Sequence, residues 1–262
     1  MFAWLRARRR KKWAAEPFPQ PWLAPLRDGV PFFACLQEPR RTRFLGMVHA
    51  FVREKQWFGA GGLEVTDEMR VTIAAAAVRL VLHLDLAAYD GLTEIVVYPG
   101  AYKHRDDDDG AILGEAHTWG TVVLSWQAVQ HGLANQHDGH DTATHEFAHV
   151  LDIESGTFNG TPRLRGRDDY RPWAIVLDQH FQRLRGNRRA ERKVLRKYGA
   201  TNEVEFFAVA TEAFFEKPRQ MKRHLPELYE VLADLYRVDT AADDNDGAPT
   251  GRATDEVAGT SL

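Results

Sequence analysis

The chain is poor in cysteine and lacks long apolar runs. It has one cysteine, Cys35, in 262 residues, which excludes an intrachain disulfide and a zinc site built from several thiolates. No apolar run reaches the length of a membrane span, and a formal net charge of -3 does not indicate a nucleic-acid-binding protein. We therefore expect a cytoplasmic globular protein without a membrane span, whose metal ligands, if any, are histidines or carboxylates.

The first 16 residues form a basic arm, in which tryptophans Trp4 and Trp13 flank a run of cations. No apolar core follows this run, so the segment does not have the pattern of a secretory signal. We predict a mobile, solvated arm. The alternative is a weak anchor for an anionic lipid surface or an acidic partner. The cations are Arg6, Arg8, Arg9, Arg10, Lys11 and Lys12.

Apolar periodicity predicts a mostly helical α+β fold with one small mixed sheet. The predicted strands are residues 93–98 and 120–126; the second could line a cleft and pair with an extended peptide, although a place inside the sheet is the simpler prediction. One catalytic domain is expected over residues 17–240, followed by a disordered tail at 241–262 that has few large apolar groups. The predicted helices span residues 42–57, 66–84, 170–185, 190–197, 202–215 and 225–238.

The five residues His145-Glu146-Phe147-Ala148-His149 carry the strongest functional pattern in the chain. On a helix, two histidines four residues apart lie on one face, so both imidazoles can reach one zinc ion. The glutamate between them lies beside the metal, where it can accept a proton from water. The motif therefore predicts two metal ligands, His145 and His149, and a general base, Glu146.

The residues around this motif favour a helix. Asp141 or Thr142 can cap its first turn, and apolar residues such as Phe147 alternate with the polar ones at helical spacing. The alternative is a buried helix whose histidines are satisfied by hydrogen bonds alone. Two further histidines, His137 and His140, precede the motif, and we expect them in a loop away from the metal.

A third protein ligand is required if water is to occupy the fourth position on zinc. The segment 202–215 favours a carboxylate, because Glu205, Glu212 and Glu216 share one stripe of a helix that is otherwise rich in phenylalanine. Carboxylates buried in such surroundings need a cation. The pattern alone leaves the choice among these glutamates open. The alternative role for Glu205 is a capping box with Asn202.

These segments resemble the Mlc titration factor A family of bacterial zinc metallopeptidases. The resemblance rests on HEFAHVLD and EFFAVATEAFF, and it extends through TEIVVY, VVLSW and LPELYEVLADLYRVD, so that it covers residues from about 20 to 240. The zinc helix paired with an EFFA segment is also similar to the lethal-factor toxin protease. The resemblance implies a zincin-like catalytic core whose third ligand is a glutamate.

The resemblance also implies roles for single residues. Zn²⁺ would be held by His145, His149 and Glu205, with Glu146 as the catalytic glutamate and Tyr198 as the active-site tyrosine. Glu205 follows His149 by 56 residues (205 - 149), a longer separation than in the simplest zincins, which predicts inserted helices. On spacing alone, two further carboxylates could orient the imidazoles from behind; these are Asp152 and Glu212.

The function implied by the resemblance is zinc-dependent hydrolysis of peptide bonds, aminopeptidase-like on small peptides. It also implies a link to sugar uptake through binding of the Mlc repressor. Glu212, Asp152 or the acidic loop 106–109 could supply a carboxylate for a substrate amine. The alternative is a non-catalytic protein that sequesters a transcription factor; no direct binding of nucleic acid is expected.

Overall fold

The computed structural model describes residues 2–102 and 112–243. It confirms the predicted α+β class, because helices dominate the chain and one four-stranded mixed sheet accompanies them. The acidic loop 106–109 lies outside the described residues, and so does the predicted disordered tail from residue 244 onward. Residues 241–243, where that tail was predicted to begin, belong instead to a short helix, Thr240–Asp243. Among the described residues, no helix combines the length and the apolarity needed to cross a membrane.

The elements follow one another in an order that places the sheet in the first half of the chain and helices in the second. In chain order they are α1 Phe2–Ala15, α2 Leu23–Gly29, α3 Pro31–Cys35, α4 Arg40–Glu54, β1 Gln56–Gly59, α5 Asp67–Val81, β2 Glu94–Tyr98, β3 Gly114–His117, β4 Thr121–Ser125, α6 Trp126–Ala134, α7 Thr142–Ile153, α8 Tyr170–Arg185, α9 Arg189–Val194, α10 Glu203–Glu216, α11 Pro218–His224, α12 Pro226–Tyr236 and α13 Thr240–Asp243.

The sheet has the strand order β1-β2-β4-β3. Strands β1, β2 and β4 run parallel, and β3 runs antiparallel to β4 with Gly114 opposite Leu124 and His117 opposite Thr121. All five residues of β4 are buried, which its run of β-branched residues explains. Strand β4 therefore lies inside the sheet and cannot pair with a peptide, so the idea that residues 120–126 line a cleft is wrong.

Two strands, β1 and β3, were not apparent in the sequence. The helix predicted over residues 42–57 ends at Glu54, because Lys55 turns into extended backbone and its buried ammonium donates to the carbonyls of Tyr89 and Leu92 at 2.8 and 2.7 Å. Trp57 thus belongs to β1. The residues of β3, GEAH, are all partly exposed and show no alternation of apolar and polar side chains, so no periodicity marks them as a strand.

The basic arm is a helix that packs on the rest of the chain, which corrects the prediction of a solvated, mobile segment. Alanine, leucine, lysine and arginine have high helix propensity. Arg10 is only 7 % exposed and makes two hydrogen bonds to Glu54, at 2.5 and 2.6 Å, and one ion pair with Asp90 at 2.8 Å. These contacts fix α1 against α4 and the residues that precede β2.

Helices α7 and α10 pack against each other in the core and determine the position of the motif residues. Every residue of α7 from Thr142 to Asp152 is buried, and so is every residue of α10 from Phe206 to Glu216. At the start of α10, Phe206 packs on Phe181 of α8, and toward its end Phe214 packs on Tyr236 of α12. Polar side chains enclosed between two such helices must find partners within the protein.

Candidate metal centre

Helix α7 presents the two histidines of the motif on one face. Asp141 caps the helix by accepting hydrogen bonds from the Thr144 amide at 3.1 Å and from the Thr144 hydroxyl at 2.7 Å. One turn further on, the Nε2 atoms of His145 and His149 lie 3.1 Å apart, and the two rings are perpendicular. The two imidazoles therefore direct one nitrogen each to the same place.

Glu205 of α10 completes a group of three ligand atoms. Its Oε2 lies 3.0 Å from Nε2 of His145 and 3.6 Å from Nε2 of His149. Of the described residues, these three form the group whose ligand atoms all lie within 4.8 Å of one another. Two imidazole nitrogens and one carboxylate oxygen form a donor set that suits a zinc ion with one open position, so the residues present fit the predicted metal.

The cap of α10 shows why Glu205 is available for this role. Asn202 accepts a hydrogen bond from the Glu205 amide at 2.9 Å, as in the capping box considered for the sequence. The Glu205 side chain, however, points to His145. The backbone of Glu205 therefore satisfies the cap, while its carboxylate belongs to the histidine cluster.

Glu212 holds His145 from the side opposite Glu205. Its carboxylate is fully buried; Oε1 lies 2.7 Å from Nδ1 of His145 and also accepts a hydrogen bond from Arg196. The other oxygen, Oε2, accepts from the Asp141 amide at 2.8 Å. Because Glu212 occupies Nδ1 of His145, the ring is oriented with Nε2 toward Glu205 and His149.

Glu216 extends the carboxylate stripe by one turn and fixes the loop before α7. Its Oε2 accepts hydrogen bonds from the amides of Gly139 and His140, at 2.8 and 3.1 Å. Burial, together with the charge of Asp141, raises the pKa of Glu216 to about 8. His137 contacts the Glu216 carbonyl at 3.0 Å, and neither His137 nor His140 belongs to the metal-ligand group.

Glu146 lies beside the edge strand β3. A side-chain carbon at Gly114 would stand 2.6 Å from Cγ and 2.7 Å from Oε1 of Glu146, so only glycine leaves room for the glutamate in this position. Glu146 is 6 % exposed, and burial raises the pKa of its carboxyl group although the neighbouring histidines oppose the shift. A raised pKa suits a group that must take up a proton near neutral pH.

Tyr198 stands at the open side of the cluster. Its side chain is 51 % exposed, and its ring centre lies 5.9 Å from that of His145. Partial burial and the charges of Glu205 and Glu146 raise the pKa of its hydroxyl to about 12. The hydroxyl therefore remains protonated and able to donate a hydrogen bond at neutral pH.

Electrostatics couple the two histidines with Glu205. Burial disfavours a charged His145, but hydrogen bonds to Glu205 and Glu212 outweigh it and raise its pKa to about 10. Burial likewise opposes the charge on Glu205, yet contacts with His145 and His149 lower the pKa of this carboxyl well below its ordinary value. The cluster thus favours an ionised carboxylate directed at a positive centre.

Asp152 does not contact an imidazole, contrary to its predicted orienting role. Its oxygens accept hydrogen bonds from the amides of Gly160 and Thr161, at 2.6 and 2.8 Å. The Nδ1 atom of His149 is buried and has no hydrogen-bond partner among the described residues. The loop that Asp152 holds returns Phe158 to the cluster, where its ring centre lies 6.0 Å from that of His149.

Two residues of the site were missed in the sequence, Arg196 and Gly114. A buried carboxylate at position 212 called for a cation, but nothing in the sequence selects Arg196 among its many basic neighbours. Of the carboxylates considered for binding a substrate amine, Glu212 and Asp152 each accept hydrogen bonds from within the protein on both oxygens.

A cavity of about 640 Å³ lies away from this cluster, at the C-terminal end of α7. Its floor includes the buried side chains of Leu151 and Trp173, and Arg163 and Asp234 are among the charged residues on its rim. None of the three candidate ligands lines it. The cluster is instead bordered by the exposed side chain of Tyr198.

Comparison with known proteins agrees with this geometry. The chain matches the family described as "Glucose-regulated metallo-peptidase M90" over residues 4–237. It is 37% identical over 240 residues to "Uncharacterized protein slr2042" of Synechocystis sp., with 87% of each chain covered. It is 29% identical over 231 residues to Mlc titration factor A of Pectobacterium atrosepticum, with 81% of this chain and 84% of that protein covered.

A further relative is Mlc titration factor A of Yersinia pestis (strain Pestoides F), 28% identical over 227 residues, with 81% of this chain and 83% of that protein covered. These matches confirm the resemblance to Mlc titration factor A that the sequence motifs indicate. The family match includes both the motif helix and the helix of Glu205. The chain therefore belongs to the glucose-regulated metallo-peptidase M90 family.

Proposed function

We propose that this protein is a zinc-dependent peptidase whose metal is held by His145, His149 and Glu205. The observation that carries the proposal is the convergence of two Nε2 atoms and one carboxylate oxygen within 4.8 Å. When bound there, zinc would acidify water and polarise the carbonyl of the scissile bond. Glu212 keeps the His145 ring in the orientation that this role requires.

Glu146 acts in this proposal as the proton carrier. Its buried carboxylate accepts the proton of the attacking water and passes it to the leaving amine. The raised pKa of Glu146 helps it to hold the proton between these two steps. The glycine at position 114 lets the strand pass close to the carboxylate, which keeps the proton carrier near the bond to be broken.

Tyr198 supplies a hydrogen bond to the substrate in the transition state. Its hydroxyl is protonated at neutral pH, lies on the open side of the cluster and comes from a segment fixed by Arg196. A donor placed in this way stabilises negative charge that develops on the carbonyl oxygen. The half-exposed ring can move toward the substrate without disturbing the core.

The substrate is a peptide in extended conformation bound along β3. Strand β3 ends the sheet, and no other described strand pairs with its outer edge, so its backbone groups can pair with a peptide. Gly114 brings this edge next to Glu146. The family resemblance favours short peptides and aminopeptidase-like cleavage in the cytoplasm.

Metal content measured by elemental analysis tests the proposal. Wild type and Glu203→Ala should contain zinc near one ion per chain, whereas Glu205→Ala should lose most of it. Glu203 is the matched control because it is an exposed glutamate in the first turn of the same helix. A wild type that stays free of zinc after incubation and removal of excess metal, or a fully loaded Glu205→Ala variant, would refute the site.

Binding of an Mlc-type transcriptional repressor is a second candidate function, which the names of the relatives at 28% and 29% identity favour. The variant Glu146→Gln separates the two. We expect it to retain zinc and to lose hydrolysis by roughly 10²–10⁴-fold. Repressor binding that survives in this variant would belong to a surface independent of catalysis, and hydrolysis that survives would remove Glu146 from the mechanism.

A further inference from the structure

Helix α1 has an inner face that is fixed to the protein. Arg10 is paired with Glu54 and Asp90, and Arg6 donates to the Asp90 carbonyl at 2.6 Å. Trp13 packs partly buried against the core. These contacts hold the helix rigidly enough to define which of its side chains point away from the protein.

The outer face of α1 combines exposed apolar groups with unpaired positive charge. Trp4 is 65 % exposed and Leu5 is 44 % exposed. No acidic residue occurs in residues 1–15. At helical spacing these two side chains share the face with cations three, four and seven residues further on. The exposed cations are Arg8, Arg9, Lys11 and Lys12.

Neither property of this face is explained by the fold. A large exposed tryptophan contributes nothing to the core, and the described residues provide no carboxylate partner for the four exposed cations. The Arg8 guanidinium lies 5.8 Å from the centre of the Trp4 ring, so charge and indole are adjacent. A surface of this kind matches the boundary of an anionic bilayer, where indole groups insert and cations meet phosphate.

We propose that the outer face of α1 binds the protein to an anionic lipid surface. Trp4 and Leu5 enter the boundary between headgroups and acyl chains, while Arg8, Lys11 and Lys12 contact lipid phosphates. Positive charge alone would suit any polyanion; the exposed indole and leucine beside it favour lipid, because duplex nucleic acid offers them no apolar layer. The chain binds peripherally, since none of its described helices could cross a bilayer.

Vesicle co-sedimentation of the full chain tests this inference. We expect binding to equimolar phosphatidylcholine and phosphatidylglycerol, little binding to phosphatidylcholine alone, and a steep loss with added salt. Replacing Arg8, Arg9, Lys11 and Lys12 by glutamine should weaken binding several-hundred-fold, at roughly fivefold for each cation. The double variant Trp4→Ala, Leu5→Ala should weaken it by at least roughly tenfold without changing net charge.

The control variants remove the same amount of positive charge, or one exposed tryptophan, at positions outside α1. Replacing Arg188, Arg189, Arg192 and Lys193 by glutamine alters net charge equally at exposed positions around α9, and Trp119→Ala removes a tryptophan that is 72 % exposed. Both controls should bind vesicles as wild type does. Any of three results would overturn the proposal. The α9 variant could lose binding as strongly as the α1 variant, the double variant Trp4→Ala, Leu5→Ala could bind as wild type does, or the wild type could bind duplex DNA or polyglutamate and not vesicles.

Discussion

Helices α10 and α1 both concentrate charge of one sign, but they place it differently. The three carboxylates of the α10 stripe, Glu205, Glu212 and Glu216, turn inward, and each meets donors or histidines. In α1 only Arg6 and Arg10 turn inward to acidic partners. In this protein, the charged side chains that turn inward fix the positions of the helices, whereas the exposed cations of α1 remain available to bind a partner.

Tyr198→Phe should sharpen this comparison most, because it removes a neutral donor beside the inward carboxylates. Loss of one hydrogen bond to a developing oxyanion lowers kcat by about 10²–10³-fold. Steady-state kinetics on a short peptide should show the loss in kcat with KM little changed. Zinc content should stay at the wild-type level, and a variant with full kcat would exclude the hydroxyl from catalysis.

Arg10→Ala should remove the ion pairs that hold the inner face of α1 against the rest of the protein. It removes the bidentate partner of the Glu54 carboxylate, which is mostly buried and keeps the Lys55 ammonium at 2.8 Å, so the protein should lose up to about 3 kcal/mol of stability. Arg8→Ala, the outward control two residues earlier in the same helix, should change stability by less than about 0.5 kcal/mol. Denaturant unfolding measures both; equal effects would mean that the two faces of α1 do not differ.

Glu212→Gln should weaken metal binding without unfolding the protein. The amide can still accept from Asp141, but it no longer places a negative charge against Nδ1 of His145. Removal of such supporting contacts lowers metal affinity by roughly 10–100-fold. Competition with a zinc chelator gives the affinity, and wild-type affinity in the variant would show that Glu212 serves the fold alone.

Glu216→Gln should have the smallest effect at about pH 5, where the wild-type carboxyl group is also neutral, and this effect should change as pH rises. Burial and Asp141 raise the folded-state pKa of Glu216 to about 8, above its value in the unfolded chain. The unfolded chain therefore loses this proton first, so wild-type stability should fall as pH rises from about 5 to 8. The neutral amide should remove that decline, as urea unfolding at several pH values would reveal.

Local patterns predicted the parts of the site that depend on neighbours in sequence. The spacing of His145 and His149 requires only a helix, and the predicted cap at Asp141 and the helix at 170–185 are both found. A carboxylate on an apolar helix needs a cation, which limited the third ligand to the glutamates of α10, and the family resemblance selected Glu205 among them. For the two histidines, the cap and the helix at 170–185, one helix and its own side chains contain the necessary information.

Contacts between distant segments could not be predicted in this way. Strand β3 depends on pairing with β4, and Gly114 has its role only because α7 packs below it. Arg196 contacts Glu212 through the packing of the segment before Tyr198 on α10. Asp152 lies on the same stripe as the histidines, as the spacing indicated, but its carboxylate accepts hydrogen bonds from two loop amides and contacts no imidazole.

The anchoring of that loop by Asp152 has a mechanical consequence. Hydrogen bonds from the amides of Gly160 and Thr161 fix the end of the loop to Asp152 of α7, and one from the Trp173 indole to the Gly160 carbonyl at 3.3 Å fixes it to α8. The free span is thus reduced to the few residues before Gly160. Phe158 therefore borders the space beside His149, and under the proposed function rotation of this ring would set the width available to a substrate side chain there.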